Sequence, residues 1–202
     1  MTLWLASDPL VLASRSAARR ALLEAAGIPV ELHPADIDER RLEEKMAPPS
    51  PAATAGFLAR EKALAAARSR PGRLILGADQ TLALADKRFT KPPDRTAARA
   101  QLRALCGRTH ELHSAVALVQ DATIVFEYVD TVRLTMRAFS DAFLDRYLDV
   151  AGDAVTACVG GYQIEGPGIQ LFERIDGDYF TILGLPLLPT LDFLRRSGCL
   201  AQ

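Results

Sequence analysis

Asp79 is the residue of this sequence whose type and position first suggest chemistry. Residues 74–76 before it are three large aliphatics, which predict a buried strand, and Gly77 with Ala78 lets another group approach the backbone closely. The carboxylate therefore stands where this strand is predicted to end. Because ligands of open α/β sheets bind outside the carboxyl ends of the strands, Asp79 is a candidate catalytic residue. A turn-forming or helix-capping aspartate is the structural alternative.

A candidate anion site lies near the start of the chain. A short strand is predicted at residues 9–13, and Ser14 follows it directly. Ser16 is a good N-cap for a helix that we expect to end near Gly27. A strand, a tight turn and a helix N-terminus together favour a bound phosphate, and Arg19 adds a bidentate donor. An ordinary capped helix with solvated arginines would give the same pattern.

Carboxylates and lysines elsewhere in the chain are compatible with phosphate chemistry. Residues 36–39 form an acidic cluster after a predicted strand, and such a cluster either holds Mg²⁺ or is a solvated turn. Lys62 lies beside the apolar stripe of a helix predicted over residues 52–68, so it points either to solvent or into a cleft. Lys91 precedes two prolines, which hold it on a rigid loop.

Composition excludes several classes of protein. The 202 residues, 49% hydrophobic and 24% charged, are predicted to form one domain spanning residues 1–202. The 24 Lys and Arg against 25 Asp and Glu give a net charge of -1. This balance predicts neither a basic surface that binds nucleic acid nor a polybasic patch that binds membranes. The first residues do not form a signal peptide, and no apolar run approaches the roughly 20 residues of a membrane span. Three scattered cysteines without a CxxC pair favour a reducing cytoplasm.

The order of the predicted elements indicates an α/β fold with an elongated mixed sheet flanked by helices. The first half alternates strands and helices, and two long antiparallel strands, at residues 108–119 and 124–137, leave an edge that could support a homodimer. The remaining predictions are a surface loop at 40–51, capped helices from Asp94 and over 140–150, strands at 169–175 and 179–183, and a final helix at 187–196.

The second informative loop spans residues 160–168. Four glycines and one proline in nine residues permit unusual backbone angles, and Tyr162 and Glu165 are set among them. Such a loop is either a floppy connector or a wall that encloses a ligand. We favour the wall because apolar residues and a predicted strand flank the loop.

Taken together, these motifs resemble the Maf family of nucleoside triphosphate pyrophosphatases over nearly the whole chain. The matching motifs, in order, are LASRSAARRALL near the start, DIDE at 36–39, REKA at 60–63, GADQ at 77–80, TKP at 90–92, GRTH at 107–110, GYQIEGPG at 161–168 and GLPL at 184–187. The resemblance implies a two-lobed α/β fold, related to the inosine-triphosphatase-like enzymes, with a nucleotide cleft. It also implies hydrolysis of a nucleoside triphosphate to the monophosphate and pyrophosphate, dependent on a divalent metal cation such as Mg²⁺ or Mn²⁺.

The resemblance assigns roles to individual residues of this chain. Asp79 matches the general base, and Glu39 with Asp79 would hold the metal. Lys62 and Lys91 match positions tied to activity and would offset the charge of the triphosphate. An alternative from another class is a nucleotide-binding regulator of cell division and septum formation without significant catalysis, which the net charge does not favour.

The first motif of the resemblance is a phosphate-binding turn, matched here by Ser14, Ser16 and Arg19. The family type that acts on thymidine and uridine triphosphates has SPRR in this motif. The type that acts on 7-methyl-GTP has a tryptophan where this chain has Ala18. An alanine there removes a possible stacking surface, so another modified or ordinary nucleotide remains an alternative substrate.

Gln80 and Glu165 resemble the 7-methyl-GTP type, because the other type has GADT and IQG at these motifs. A glutamate carboxylate can accept hydrogen bonds from N1–H and the N2 amine of a guanine edge, whereas a glutamine presents a mixed donor and acceptor face. The sequence therefore predicts that Gln80 and Glu165 help to choose the base.

Overall fold

The computed structural model of the protein describes residues 2–202 as a mixed α/β fold. The strands are β1 (Leu10–Leu12), β2 (Val30–Leu32), β3 (Leu74–Leu84), β4 (Lys87–Phe89), β5 (Thr109–Gln120), β6 (Thr123–Met136) and β7 (Phe172–Asp176). The helices are α1 (Ala17–Ala25), α2 (Glu39–Met46), α3 (Pro51–Ala67), α4 (Arg95–Leu105), α5 (Asp141–Ala151), α6 (Ala154–Ala157), α7 (Tyr179–Ile182) and α8 (Leu187–Arg196). Two short 3-10 helices span Val159–Gly161 and Pro167–Leu171.

The strands form one sheet in the order β2-β1-β3-β5-β6-β7, and β4 pairs with β3. β1 pairs in parallel with both β2 and β3, whereas the β3–β4 and β6–β7 pairs are antiparallel. This mixed sheet, flanked by helices, confirms the predicted fold class.

The chain divides into two compact units, which we call the first and the second unit. The first unit comprises residues 2–80, His113–Thr131 and Asp178–Gln202, and the second comprises Thr81–Leu112 and Val132–Gly177. The boundaries between the units fall within β3, β5 and β6.

In the first unit, successive strand residues contribute to two different apolar clusters. Leu76 and Ala78 pack with Leu23 of α1 and residues of α8. Ile75 instead packs with the alanines of α3, such as Ala59. Because side chains alternate along a strand, α1 and α8 cover one face of the sheet here and α3 covers the other.

The close approach of α3 to β3 depends on Gly77. A Cβ atom at this glycine would lie 2.1 Å from the carbonyl oxygen of Ala59 and 2.7 Å from the backbone nitrogen of Ala63. The helix begins with Pro51 in its first turn and is capped by Ser50, whose hydroxyl accepts the Ala53 N–H. The helix predicted over 52–68 is confirmed, and its backbone lies directly on the strand that carries Asp79.

In the second unit, α4 and α5 pack together. Leu102 and Leu144 from the two helices are fully buried, and Arg99 of α4 forms an ion pair with Asp145 of α5 at 2.7 Å. The N-cap predicted at Asp94 is confirmed, because its carboxylate accepts the N–H of Ala97.

Two sequence predictions about α2 and β3 are wrong. Residues 39–46, most of the predicted surface loop at 40–51, form α2, which has no buried residue and therefore shows no apolar stripe in the sequence. Its N-terminus is capped by Asp38. The strand expected to end at Asp79 continues to Leu84, because residues 81–84 are small or apolar and buried, so Asp79 lies in the middle of β3.

Two predictions near the end of the chain are also corrected. Of the strand predicted at 169–175, Ile169–Leu171 belong to the 3-10 helix that begins at Pro167, and β7 starts at Phe172. The segment predicted to be extended at 179–183 forms the short helix α7, because Asp178 accepts the N–H of Thr181 and closes a helical turn. The final helix at 187–196 is confirmed with its predicted bounds. No helix in residues 2–202 is long and apolar enough to cross a membrane.

Replacing Gly77 by alanine is expected to destabilise the protein by about 3 kcal/mol or more, the upper end of the cost of overpacking, because the added methyl group meets helix backbone. Chemical denaturation measures the loss. Gly56→Ala is the control within α3, since its added Cβ would meet only the side chain of Val129 at 3.3 Å. Equal stabilities of the two variants would contradict the close helix–strand contact.

Candidate functional site

Three predicted site residues of the first unit meet in one ion cluster. Lys62 on α3 donates to Asp79 Oδ1 on β3 at 2.6 Å, and the same Nζ lies 2.9 Å from Oε1 of Glu39, the first residue of α2. The side chains of Lys62 and Asp79 are 13% and 11% exposed, whereas that of Glu39 is 47% exposed. We call these residues the Lys62 cluster. One ammonium group therefore bridges a buried and an accessible carboxylate.

The environment of Asp79 makes its carboxylate more basic than usual. Burial raises the pKa of Asp79, and the positive charges of Lys62 and Arg19 offset this only in part. Only Oδ1 of the carboxylate is used by Lys62. The second oxygen, Oδ2, accepts no hydrogen bond from residues 2–202 and is left for a water or another ligand.

The predicted phosphate-binding turn is organised around the buried side chain of Arg19. Its Nε donates to the carbonyl oxygen of Gly184 at 2.7 Å, and its Nη1 donates to Ser14 Oγ at 3.0 Å and to the carbonyl oxygen of Ala78 at 2.9 Å. Ser16 is the N-cap of α1, as predicted, and its hydroxyl accepts the Arg19 N–H. Burial lowers the pKa of Arg19, while the negative charges of the Lys62 cluster raise it.

These hydrogen bonds limit how Arg19 can meet a phosphate. A guanidinium has five N–H donors, and the three on Nε and Nη1 are used by protein oxygens. The bidentate contact expected from the sequence would require one of these bonds to be given up, so Nη2 is the nitrogen that remains for a ligand. Ala18, the next residue toward the N-terminus, is half-buried on α1.

Gln80 faces away from the Lys62 cluster. It follows Asp79 in a continuous strand, so the two side chains point to opposite faces of the sheet. The Gln80 amide nitrogen lies 2.9 Å from Ser114 Oγ, 3.1 Å from the carbonyl oxygen of Thr181 and 3.0 Å from that of Ile182. These three acceptors fix the amide, and only its Oε1 is left for other partners.

Ser114 and Thr181 are the site-supporting residues that sequence reasoning missed. The Ser114 hydroxyl donates to the carbonyl oxygen of Thr181 at 2.7 Å, so its oxygen is oriented to accept from Gln80. The Thr181 hydroxyl donates to Asp130 Oδ2 at 2.7 Å. No motif marks these positions, because a serine in a strand and a threonine in a four-residue helix are ordinary in sequence.

Lys91 and Glu165 belong to the second unit, where both are exposed. The pKa of the Cys158 thiol is raised to about 11, chiefly by burial, which the hydrogen bond to Tyr162 partly offsets. The charge of Glu165 also raises this pKa, and the charge of Lys91 lowers it. Lys91 and Glu165 thus lie near the same cysteine. Lys91 follows β4, which pairs with β3 as an antiparallel hairpin.

The glycine loop that carries Glu165 is anchored at Tyr162. The Tyr162 hydroxyl forms a 2.6 Å hydrogen bond with His110 Nε2, and the Cys158 thiol lies 2.8 Å from the Tyr162 carbonyl oxygen. Tyr147 donates to the carbonyl oxygen of Gly161 at 3.1 Å. These buried contacts anchor the loop within the second unit. In the sequence, His110 was marked only by the GRTH motif.

The chemistry of the Lys62 cluster fits a divalent cation. Mg²⁺ is commonly bound by one or two carboxylates and several waters, so it does not need a set of protein ligands that fills its whole coordination shell. Glu39 and Asp79 each place an oxygen within 2.9 Å of one point, the Lys62 Nζ. Larger groups of three or more His, Cys, Asp or Glu that could hold a metal are absent from residues 2–202.

The fold and the cluster together define an α/β protein with a buried carboxylate and lysine on one face of a mixed sheet. Residues 9–197 match the family described as Maf-like protein, and the chain belongs to this family. Among its relatives is a nucleoside triphosphate pyrophosphatase of Rhodopseudomonas palustris (strain BisB18), 57% identical over 201 residues and covering 100% of both chains. A 7-methyl-GTP pyrophosphatase of Brucella abortus biovar 1 (strain 9-941) is 49% identical and covers 95% of this chain and 97% of its own.

Solved structures show a weaker similarity. A HAM1 protein from Coxiella burnetii matches 63% of this chain and 72% of its own, with 16% sequence identity and a TM-score of 0.42.

The protein is expected to lose stability in acid through His110. Burial lowers the pKa of this histidine from 6.5 to about 4. The unfolded chain binds this proton between pH 6.5 and 4 while the folded protein does not, so stability falls as the pH falls, by about 3 kcal/mol at pH 4. Denaturant unfolding from pH 7 to pH 4 measures this. In His110→Gln this component should be missing, and an identical pH dependence in both proteins would contradict the assignment.

Proposed function

We propose that this protein hydrolyses a nucleoside triphosphate to the nucleoside monophosphate and pyrophosphate at the Lys62 cluster. The observation that carries the proposal is the single Lys62 ammonium held between Asp79 and Glu39. Hydrolysis of a phosphate anhydride needs a carboxylate to accept a proton and cations to neutralise the phosphates, and this cluster supplies both. The relatives described above carry the names of pyrophosphatases, which supports the same reaction.

Asp79 is the general base of the proposed reaction. Its Oδ2 is free to accept a hydrogen bond from the attacking water, and its burial raises its pKa and thus its basicity. Lys62 and Arg19 favour the ionised form that a base requires. The water oxygen bonds to the α-phosphorus, its proton passes to Asp79, and pyrophosphate leaves with the electrons of the broken α–β anhydride bond.

Glu39 and Asp79 are the residues that would hold a divalent cation such as Mg²⁺ or Mn²⁺. When bound, the cation neutralises phosphate charge and lowers the pKa of a bound water. Lys62 and Nη2 of Arg19 are the donors that we assign to the triphosphate oxygens. Lys91 is a further candidate through its match to the TKP motif.

For the base, we propose a guanine-type nucleotide such as 7-methyl-GTP. Glu165 is exposed on a loop fixed by Tyr162, and its carboxylate can accept from the donors on a guanine edge. Gln80 lies on the opposite face of the sheet from Asp79 and its amide nitrogen is held by three protein oxygens, so its Oε1 is the atom that we assign to the base. The name of the Brucella relative supports this choice of substrate.

Asp79→Asn is expected to keep the fold and to lower turnover about 10²- to 10⁴-fold, because the amide cannot accept the proton of the attacking water. Pyrophosphate release from a panel of canonical and modified triphosphates with Mg²⁺ or Mn²⁺ measures this. The exposed carboxylate of Asp192, paired with Arg196 on α8, gives the control Asp192→Asn, which should be fully active.

A fully active Asp79→Asn protein would exclude Asp79 as the general base. If the wild-type protein bound nucleotides tightly and released no pyrophosphate from any of them, the alternative of a non-catalytic regulator would replace the proposed reaction.

Glu165→Gln is expected to lower kcat/KM for guanine-type triphosphates about tenfold or more relative to uridine or thymidine triphosphates, because one donor on the base then faces a donor. Competition between two triphosphates in one reaction measures the ratio directly. Glu173→Gln, an exposed glutamate of β7, is the control. A ratio unchanged by Glu165→Gln would mean that this residue does not read the base.

A further inference from the structure

The Lys62 ammonium lies where a cation shared by Glu39 and Asp79 would have to bind. Its distances of 2.9 Å to Glu39 and 2.6 Å to Asp79 show that one positive group satisfies both carboxylates at once. We propose that Lys62 occupies the position of the divalent cation in the resting protein and competes with free metal for it. This inference rests on the proposed function only for the identity of the competing cation.

The two cations cannot both bridge the carboxylates. An ammonium and a divalent ion held by the same two oxygens would lie within a few ångströms of each other, where their charges repel strongly because Lys62 and Asp79 are shielded from water. The remaining oxygen of Asp79, Oδ2, has no hydrogen-bond partner in residues 2–202, and Asp79 is only 8% exposed. A metal can approach this oxygen, but Lys62 must leave before the ion contacts both carboxylates.

Lys62 is able to move, whereas the other nearby cation is not. Arg19 is held by oxygens of Gly184, Ser14 and Ala78. Lys62 carries a compact charge on a flexible four-carbon chain. Its ammonium group is held by ion pairs to Glu39 and Asp79, which it can exchange for other anions. A triphosphate offers the displaced ammonium new anionic oxygens. The metal therefore binds weakly alone and tightly together with the nucleotide.

Binding of Mn²⁺ without any nucleotide tests this competition. We expect Lys62→Met to bind Mn²⁺ at least about tenfold more tightly than the wild-type protein, measured by titration calorimetry and by the electron paramagnetic resonance signal of free Mn²⁺. Lys45→Met is the matched control, because it removes one positive charge from an exposed position on α2 and should leave the affinity unchanged. In the double variant Lys62→Met with Asp79→Asn, the gain should disappear.

The proposal is overturned if Lys62→Met binds Mn²⁺ no more tightly than Lys45→Met. If Lys62→Met does not fold, Lys62→Gln, which retains a neutral donor for Asp79, takes its place. The proposal is then overturned if Lys62→Gln binds Mn²⁺ no more tightly than Lys45→Met. Pyrophosphate release by the wild-type protein is measured separately. Hydrolysis with unchanged metal affinity in the variants contradicts the competition alone, and tighter metal binding without hydrolysis contradicts the proposed reaction alone.

Discussion

The ion pair between Lys62 and Asp79 is the interaction on which the candidate site depends. A carboxylate that is 8% exposed would be costly to keep ionised without a positive partner, and Lys62 lies 2.6 Å away. This contact requires α3 to lie directly against β3, which in turn requires glycine at position 77. The site thus follows from the packing of one helix on one strand, and Glu39 reaches it from the start of α2.

The two faces of β3 carry residues with different roles. Asp79 faces α3 and takes part in charge neutralisation, while Gln80 faces the opposite side and holds the main chain of Thr181 and Ile182. The segment after α7 is also held by Arg19, which donates to Gly184. Arg19 and Gln80 therefore order the polypeptide around the cluster, beyond any direct contact that they make with a nucleotide.

The sequence was sufficient for the elements with strong patterns. The apolar stripe of α3 and the cap at Ser16 predicted helices where they occur, and the alternation in residues 124–137 predicted β6. It failed at α2, which buries no residue, and at Pro167–Leu171, where a short 3-10 helix has no periodicity to detect. In the site, residue types indicated Asp79 and Lys62, but their direct contact and the opposite orientation of Gln80 depend on packing that no single motif encodes.

A crystal structure of the wild-type protein with Mn²⁺ and a triphosphate analogue, in which a methylene group replaces the α–β bridging oxygen, would show whether Lys62 gives up its two carboxylate partners when metal and nucleotide bind. We expect Lys62 to leave Glu39 and to contact a phosphate oxygen, and anomalous scattering from manganese to appear beside Glu39 and Asp79. A bound analogue whose phosphates lie elsewhere, with the ion pairs of Lys62 to Asp79 and Glu39 unchanged at 2.6 and 2.9 Å, would contradict it.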